Sequence, residues 1–318
     1  MPDNNNEILP SPSLINPPAK LDIPITLAIE LIAEQFPQWA HLPIRTLPLG
    51  GWDNKTFRLG EEMSIRLPSA EEYALQVQKE HQWLPFLATH LSYPIPEPLA
   101  LGMPSTHYPL HWSVYRWIKG ESANLMVLED EDLQQIAIDL AKFLNELHKI
   151  NISDAPLPGL HNYYRGAHPS VYDEGTRKAI RELEDYINVD LATAVWEKAI
   201  SSSWSKHPVW VHGDFSTGNI LVNKGRLIAV IDFGCMGIGD PACDLVIAWT
   251  FLTGDSQKVF KSGMKLDADT WARARGWALW KALITLTSLE NKTCSEALKQ
   301  KQVIDEILNE YEFERNNT

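Results

Sequence analysis

Between residues 212 and 234 the chain reads His212-Gly213-Asp214-Phe215-Ser216-Thr217-Gly218-Asn219 and then, after two short apolar runs, Ile231-Asp232-Phe233-Gly234. This stretch limits the fold more than any other. Asn219–Val222 and Leu227–Ile231 are strand-length runs on either side of Asn223-Lys224-Gly225, a turn sequence. The spacing therefore predicts a β-hairpin with a tight loop before it and an acid at its far end. Gly213, Gly218 and Gly234 let the backbone turn sharply and approach a phosphate closely. An Asp and an Asn five positions apart can stand at the two ends of one loop, with Asp232 reaching the same place from the neighbouring hairpin arm. Such a set suits phosphoryl transfer, which needs a carboxylate to orient a hydroxyl and accept its proton. It also needs oxygen ligands that hold Mg²⁺ against a triphosphate. Asp and Asn also make turns for local reasons, and these residues alone leave that alternative open.

His212–Asn219 resembles the H-G-D-x-x-x-x-N loop of aminoglycoside phosphotransferases and their relatives, including choline kinases. Ile231-Asp232, with Asp240-Pro241 and Asp244 downstream, resembles their I-D-x…D-P-x-x-D segment. The resemblance implies an α+β, two-lobed, protein-kinase-like fold. A small N-lobe of antiparallel sheet plus one helix would sit on a larger, mainly helical C-lobe. It implies a kinase that moves the γ-phosphate of ATP or GTP to a small molecule's hydroxyl. By the same resemblance Asp214 is the catalytic base, Asn219 and Asp232 hold Mg²⁺, and His212, Asp240 and Asp244 brace the loop.

The N-terminal half adds support. Alternation along Met63-Ser64-Ile65-Arg66-Leu67 turns Met63, Ile65 and Leu67 to one face and Arg66 to the other. In the helix expected over about 70–91, Glu80 shares a stripe with Tyr73, Val77, Leu84 and Leu87. An inward glutamate needs a partner, and Arg66 is the natural one. The pair resembles the family's strand cation, which grips the α- and β-phosphates, and its helix glutamate, although the commonest pattern has Lys. Arg and Lys bind phosphate differently, so the exchange is not neutral. Gly50-Gly51-Trp52-Asp53-Asn54 lies where the family places its nucleotide loop, and Gly51 and Asn54 are the candidates there. In Trp112–Gly120, the place of the hinge, the resemblance assigns the adenine edge to Arg116 and Ile118.

The order of elements divides the chain into an N-terminal tail at 1–20, an N-lobe at 21–118 and a C-lobe at 119–318. The tail is rich in Asn, Pro and Ser and lacks the apolar run of a signal peptide. Helices are expected near 25–36, 132–148, 171–188 and 192–201, and from Pro241 to the end. The tryptophans Trp271, Trp277 and Trp280 read as packing residues on one helix, and His148, His161 and His168 show no metal-ligand spacing. With 28 Lys plus Arg against 41 Asp plus Glu, the net charge is −13. That disfavours nucleic acid or an anionic membrane as partner. It suits a cationic small substrate, and solubility would explain it as well. Three cysteines without metal spacing point to a reducing compartment, hence the cytoplasm. The expected acceptor is an aminoglycoside-like antibiotic or a related compound. A metabolite kinase acting on a sugar, amino alcohol or nucleoside-like compound, and a nucleotide-binding pseudokinase, are the alternatives.

Overall fold

The computed structural model describes residues 18–47, 51 and 53–317. Most of the expected tail, and Gly50 and Trp52 of the glycine turn, lie outside the described residues. The first elements are α1 (Ile25–Gln35), β1 (Ile44–Thr46), β2 (Asn54–Leu59), β3 (Met63–Pro68), α2 (Glu71–Ala88), β4 (Pro98–Gly102) and β5 (Trp112–Arg116). The five strands form one antiparallel sheet in the order β1-β2-β3-β5-β4. Period-two alternation decides its two faces. Phe57, Leu59, Ile65, Leu67, Trp112 and Val114 bury themselves with Ala28, Leu31 and Ile32 of α1 in a small separate core. The opposite face carries Arg66, in register between Thr56 and Ser113. Across that face runs α2, where His81 Nε2 and Ser113 Oγ are 2.9 Å apart and the Tyr115 hydroxyl donates to Glu80 Oε2 at 2.6 Å.

The larger part begins with β6 (Glu121–Ser122), α3 (Asp130–Leu147), α4 (Asp173–Glu182) and α5 (Val189–Ile200). The helix expected over 171–188 is thus shorter at both ends, opening with a 3-10 turn at Pro169–Tyr172 and stopping at Glu182. Strands β7 (Val209–Val211), β8 (Ile220–Asn223), β9 (Arg226–Val230) and β10 (Gly237–Gly239) follow, then α6 (Ile247–Thr250), α7 (Gly254–Met264), α8 (Ala268–Ser288) and α9 (Ser295–Asn316). The hairpin β8–β9 turns on Lys224 and Gly225, both with positive φ (50° and 69°). A turn with positive φ at both central residues matches the twist of the strands it joins. Helix α8 is the spine of this lobe. Gly276 lets α5 approach so closely that a side chain there would meet Ala199 Cβ at 2.3 Å. Trp277 and Trp280 pack on Tyr172, the second in a stack with ring centroids 4.0 Å apart. Both tryptophans are buried in the large core, as expected of packing residues. Among the described residues no helix is long and apolar enough to cross a membrane.

One buried ion pair ties α8 to the segment after the second motif. Arg273 is 1% exposed and donates through Nε to Asp240 Oδ2 at 2.6 Å, with the Asp240 side chain 4% exposed. Arg273 also donates to Ser202 Oγ at 3.0 Å and Thr270 Oγ1 at 3.1 Å, while Asp240 caps the Ala242 N–H at 3.1 Å. Removing one partner leaves the other charge buried and unpaired. Arg273→Met is therefore expected to destabilise the fold by about 3–5 kcal/mol, read from urea denaturation. A midpoint equal to wild type would show that the pair is dispensable.

Candidate functional site

The loop between β7 and β8 is held from beneath by one carboxylate. Asp244, fully buried, accepts the His212 N–H at 2.6 Å and the Gly213 N–H at 2.8 Å. Gly213 has φ 84°, and a side chain there would lie 2.2 Å from the Cys235 carbonyl oxygen, so the loop cannot follow this path with another residue. His212, also fully buried, joins the two sequence motifs. Its Nε2 donates to the Ile231 carbonyl at 3.0 Å and its Nδ1 accepts the Asp214 N–H at 3.2 Å, which fixes the tautomer protonated on Nε2. Phe215 anchors the loop by stacking on Phe143 of α3 at 5.8 Å.

Above this floor stand the side chains predicted to do chemistry. Asn219 Nδ2 donates to both the carbonyl and Oδ2 of Asp214, each at 2.9 Å. Its backbone carbonyl accepts the Ile231 N–H at 2.8 Å, drawing the second motif alongside the first. Asp232 follows at φ 67° and ψ 67°, the left-handed region, which a non-glycine residue enters at a cost. That conformation directs its carboxylate to Arg66, whose NH2 donates to Oδ1 at 2.7 Å. Asp214, Asn219, Asp232, Arg66 and Glu80 are therefore brought into one connected set from three distant parts of the sequence.

The Arg66–Glu80 contact is looser than the sequence suggests. Arg66 NH1 lies 3.7 Å from Glu80 Oε1, an ion pair beyond hydrogen-bond length, and Oε1 has no hydrogen-bond partner. Burial pushes the Glu80 carboxyl up, opposed by the Arg66 charge. Burial also works against charging Arg66, but Asp232 and Glu80 outweigh it and hold the guanidinium above its ordinary value. The neighbouring Lys79 does not replace the family's usual lysine. Its Nζ binds His161 Nδ1 at 2.9 Å and the Met236 carbonyl at 3.1 Å, and burial lowers the amine to about 8.

Four residues that the motifs did not single out complete the site. Lys281 of α8 donates to Asp214 Oδ1 at 3.1 Å. Burial opposes ionisation of Asp214, but Lys281, with Arg165, overcomes it and lowers the carboxyl to about 2. Arg165 donates from Nε to the Gly213 carbonyl at 2.9 Å and lies over the rings of Trp277 and Trp280. Asp53 Oδ2 accepts from Gln76 Nε2 of α2 at 3.1 Å, and its carbonyl accepts the Ser69 N–H at 2.8 Å. Burial raises the Asp53 carboxyl to about 6; the Gln76 bond opposes this, and the Asp232 charge adds to it. A signal for Lys281 exists in the sequence: it is the single charged residue between Gly276 and Ser288.

The remaining candidates lie around the sheet. Gly51 is exposed, and Asn54 is buried at the start of β2 in register with Pro68. Arg116 ends β5, its N–H donating to the Glu97 carbonyl at 2.9 Å and its exposed side chain pairing with Glu97 at 2.6 Å. The Trp117 N–H donates to the Glu62 carbonyl at 2.8 Å, and the Ile118 N–H makes no hydrogen bond among the described residues.

Known proteins are similar to this chain in sequence and in fold. The chain is 31% identical over 143 residues to an aminoglycoside 3'-phosphotransferase of Escherichia coli, covering 44% of this chain and 52% of that protein. The chain thus spans about half the length of the curated relatives it matches. Among solved structures, the GDP and kanamycin complex of APH(2")-IIia superposes with a TM-score of 0.65 at 19% identity, over 92% of this chain and 99% of that one. A macrolide 2'-phosphotransferase type I superposes with a TM-score of 0.59 at 17% identity, over 87% and 95%. At such identities the likeness speaks to the fold, which is the two-lobed kinase-like fold expected from the motifs. Residues 44–277, most of the chain and all of the site apart from Lys281, match the phosphotransferase enzyme family, and the chain belongs to that family.

Proposed function

We propose that this protein is a small-molecule kinase, transferring the γ-phosphoryl group of ATP or GTP to a hydroxyl of an aminoglycoside-like antibiotic or a related compound. The observation that carries this reading is the convergence of Asp214, Asn219, Asp232 and Arg66, through bonds of 2.7–2.9 Å. In this reading residues 21–118 form the nucleotide lobe and 119–318 carry the catalytic loop and acceptor site. Free thiols at Cys235, Cys243 and Cys294 fit a cytoplasmic setting. The curated relatives are aminoglycoside kinases, and GDP and kanamycin are bound in the APH(2")-IIia structure.

The donor set fits Mg²⁺. Asn219 uses its Nδ2 on Asp214, leaving Oδ1 with no hydrogen bond among the described residues, and Asp232 keeps Oδ2 free while Oδ1 meets Arg66. Both are hard oxygen ligands, and no group of three His, Cys, Asp or Glu among the described residues is arranged to hold a metal. Few protein ligands, with phosphates and water completing the shell, is the habit of Mg²⁺ rather than of a cage-bound ion. When bound, the ion would neutralise the triphosphate. Asp214, kept ionised by Lys281, orients the acceptor hydroxyl and takes its proton. Arg66 grips the α- and β-phosphates, and Glu80 limits where its guanidinium can go. Gly51 and Asn54 shape the phosphate loop, and the Arg116 carbonyl and Ile118 N–H receive the base edge. Catalysis then comes chiefly from positioning and charge neutralisation.

A coupled assay of ATP and GTP turnover over a library of hydroxyl-bearing compounds tests the activity itself. Nucleotide binding without acceptor-dependent turnover across the library would leave a binding protein rather than a kinase. Asp214→Asn is expected to lower kcat by about 10²–10⁴-fold, the usual worth of general-base assistance. Nucleotide affinity by calorimetry should change little. Wild-type turnover in the variant would remove Asp214 from the mechanism.

A pH dependence follows from Asp53, whose carboxyl is raised to about 6. Below that pH the group is neutral; above it, a carboxylate stands in the proposed phosphate loop and opposes the triphosphate. Nucleotide affinity should therefore fall as pH rises through about 6, by up to about tenfold for one partly screened like charge. Asp53→Asn should remove that component. Identical pH profiles for wild type and variant would place Asp53 outside the phosphate site.

A further inference from the structure

We propose that Lys281 contacts the acceptor and steers transfer to a hydroxyl flanked by another oxygen function rather than by an ammonium. The inference rests on the kinase reading above and adds the chemical neighbourhood of the attacked group. Asp214 Oδ2 is engaged by Asn219 at 2.9 Å, so Oδ1 is the oxygen left for an incoming hydroxyl, and Oδ1 is the atom that Lys281 meets at 3.1 Å. The two side chains are 39% and 36% exposed, while Trp277, one turn earlier on α8, and Trp280, the preceding residue, are buried. An ion pair this open adds little to stability, so the fold does not require a lysine at this position.

The geometry limits how far the ammonium can be from the chemistry. A hydroxyl oxygen hydrogen-bonded to Oδ1 at about 2.7 Å lies no farther than about 6 Å from Lys281 Nζ. Substituents on the carbons next to the attacked hydroxyl fall within that reach. An oxygen there accepts a hydrogen bond from Nζ, whereas an ammonium there meets a like charge. Arg165 adds a second positive charge beneath, bound to the Gly213 carbonyl. The neighbouring carboxylates face other groups: Asp240 pairs with Arg273, Asp244 accepts the His212 and Gly213 N–H groups, and Asp232 turns one oxygen to Arg66 and the other to the proposed Mg²⁺ site. The stretch Gly276–Ser288 of α8 contains no acid. Apart from Asp214, whose Oδ1 receives the attacked hydroxyl, none of these acids offsets Lys281 toward an adjacent ammonium.

Kanamycin A and kanamycin B form a matched pair of probes, differing by a hydroxyl or an amine at the 2'-carbon beside the 3'-hydroxyl. Wild type is expected to favour kanamycin A in kcat/KM by about tenfold or more, the scale of one like-charge contact, with phosphate mapped to the 3'-hydroxyl by NMR. Lys281→Gln should bring the ratio near unity, Lys281→Glu should reverse it, and Lys281→Arg should keep it. Thermal melts show whether each variant is folded, and the ratio is internal to each protein. An equal preference in wild type, an unchanged ratio in Lys281→Gln, or phosphate on an ammonium-flanked hydroxyl overturns the proposal. Transfer to neither compound by wild type removes the aminoglycoside-like acceptor and this inference with it. Transfer to both without a Lys281-dependent ratio removes this inference alone.

Discussion

The path of the loop from His212 to Asn219 depends on a single buried carboxylate beneath it. Asp244 accepts two consecutive backbone N–H groups, those of His212 and Gly213, and so fixes the path of the loop that presents Asp214. A carboxylate oxygen is a strong acceptor, and bonds to an ionised group are stronger than neutral ones. Burial raises the Asp244 carboxyl, and these two N–H groups oppose it. His212 then carries the constraint onward, through its ring, to the Ile231 carbonyl and hence to Asp232. Three elements are aligned by a few bonds, none of which uses the side chains of Asp214, Asn219 or Asp232. The left-handed conformation of Asp232 is affordable because β9 and the Asn219–Ile231 bond hold the residues before it.

Charge balance is the second organising feature. Asp214 stands against Lys281 and Asp232 against Arg66, so the two acids of the motifs are each matched by a cation from another element. The planar fork of Arg66 reaches Asp232 and Glu80 at once, at 2.7 and 3.7 Å. A lysine is a point charge and could not divide its donors in that fixed way. Lys79, adjacent to Glu80, is occupied in holding α2 to the loops around His161 and Met236.

Residues whose role rests on short-range pattern could be read from the sequence. The loop and hairpin from His212 to Asp232 were given by glycine spacing and by two strand-length runs about a turn. The inward set of Arg66 followed from period-two alternation, that of Glu80 from helical spacing. What could not be read depends on tertiary approach. Lys281 meets Asp214 across 67 positions of sequence, and no local pattern says which face of a nearly all-apolar helix looks into a cleft. Asp53 is raised toward neutrality by neighbours that folding assembles. The end of α4 at Glu182 is not legible because Glu184 and Asp185 continue a plausible polar helix face, while the chain turns after Leu183 and buries Leu183 and Ile187 in the core. The distance between Arg66 and Glu80, too, was beyond pattern, because alternation gives direction but not length.

Helix α2 belongs to the N-terminal half by sequence, yet its packing divides it between the two lobes. Leu84 and Leu87 are buried in the large helical core, and Lys79 is bound to two loops of that lobe. Against the sheet, by contrast, α2 makes polar contacts: His81 with Ser113, and Glu80 with Tyr115 and Arg66. Tyr115 of β5 joins the same large core, so the seam between the sheet and α2 is mixed, with its polar part around Glu80 and His81. Were the sheet to tilt on the small core beneath α1, Arg66 would travel with it while Glu80 stayed with the catalytic loop. The separation of these two side chains is thus a gauge of how far the sheet stands from the loops beneath α2.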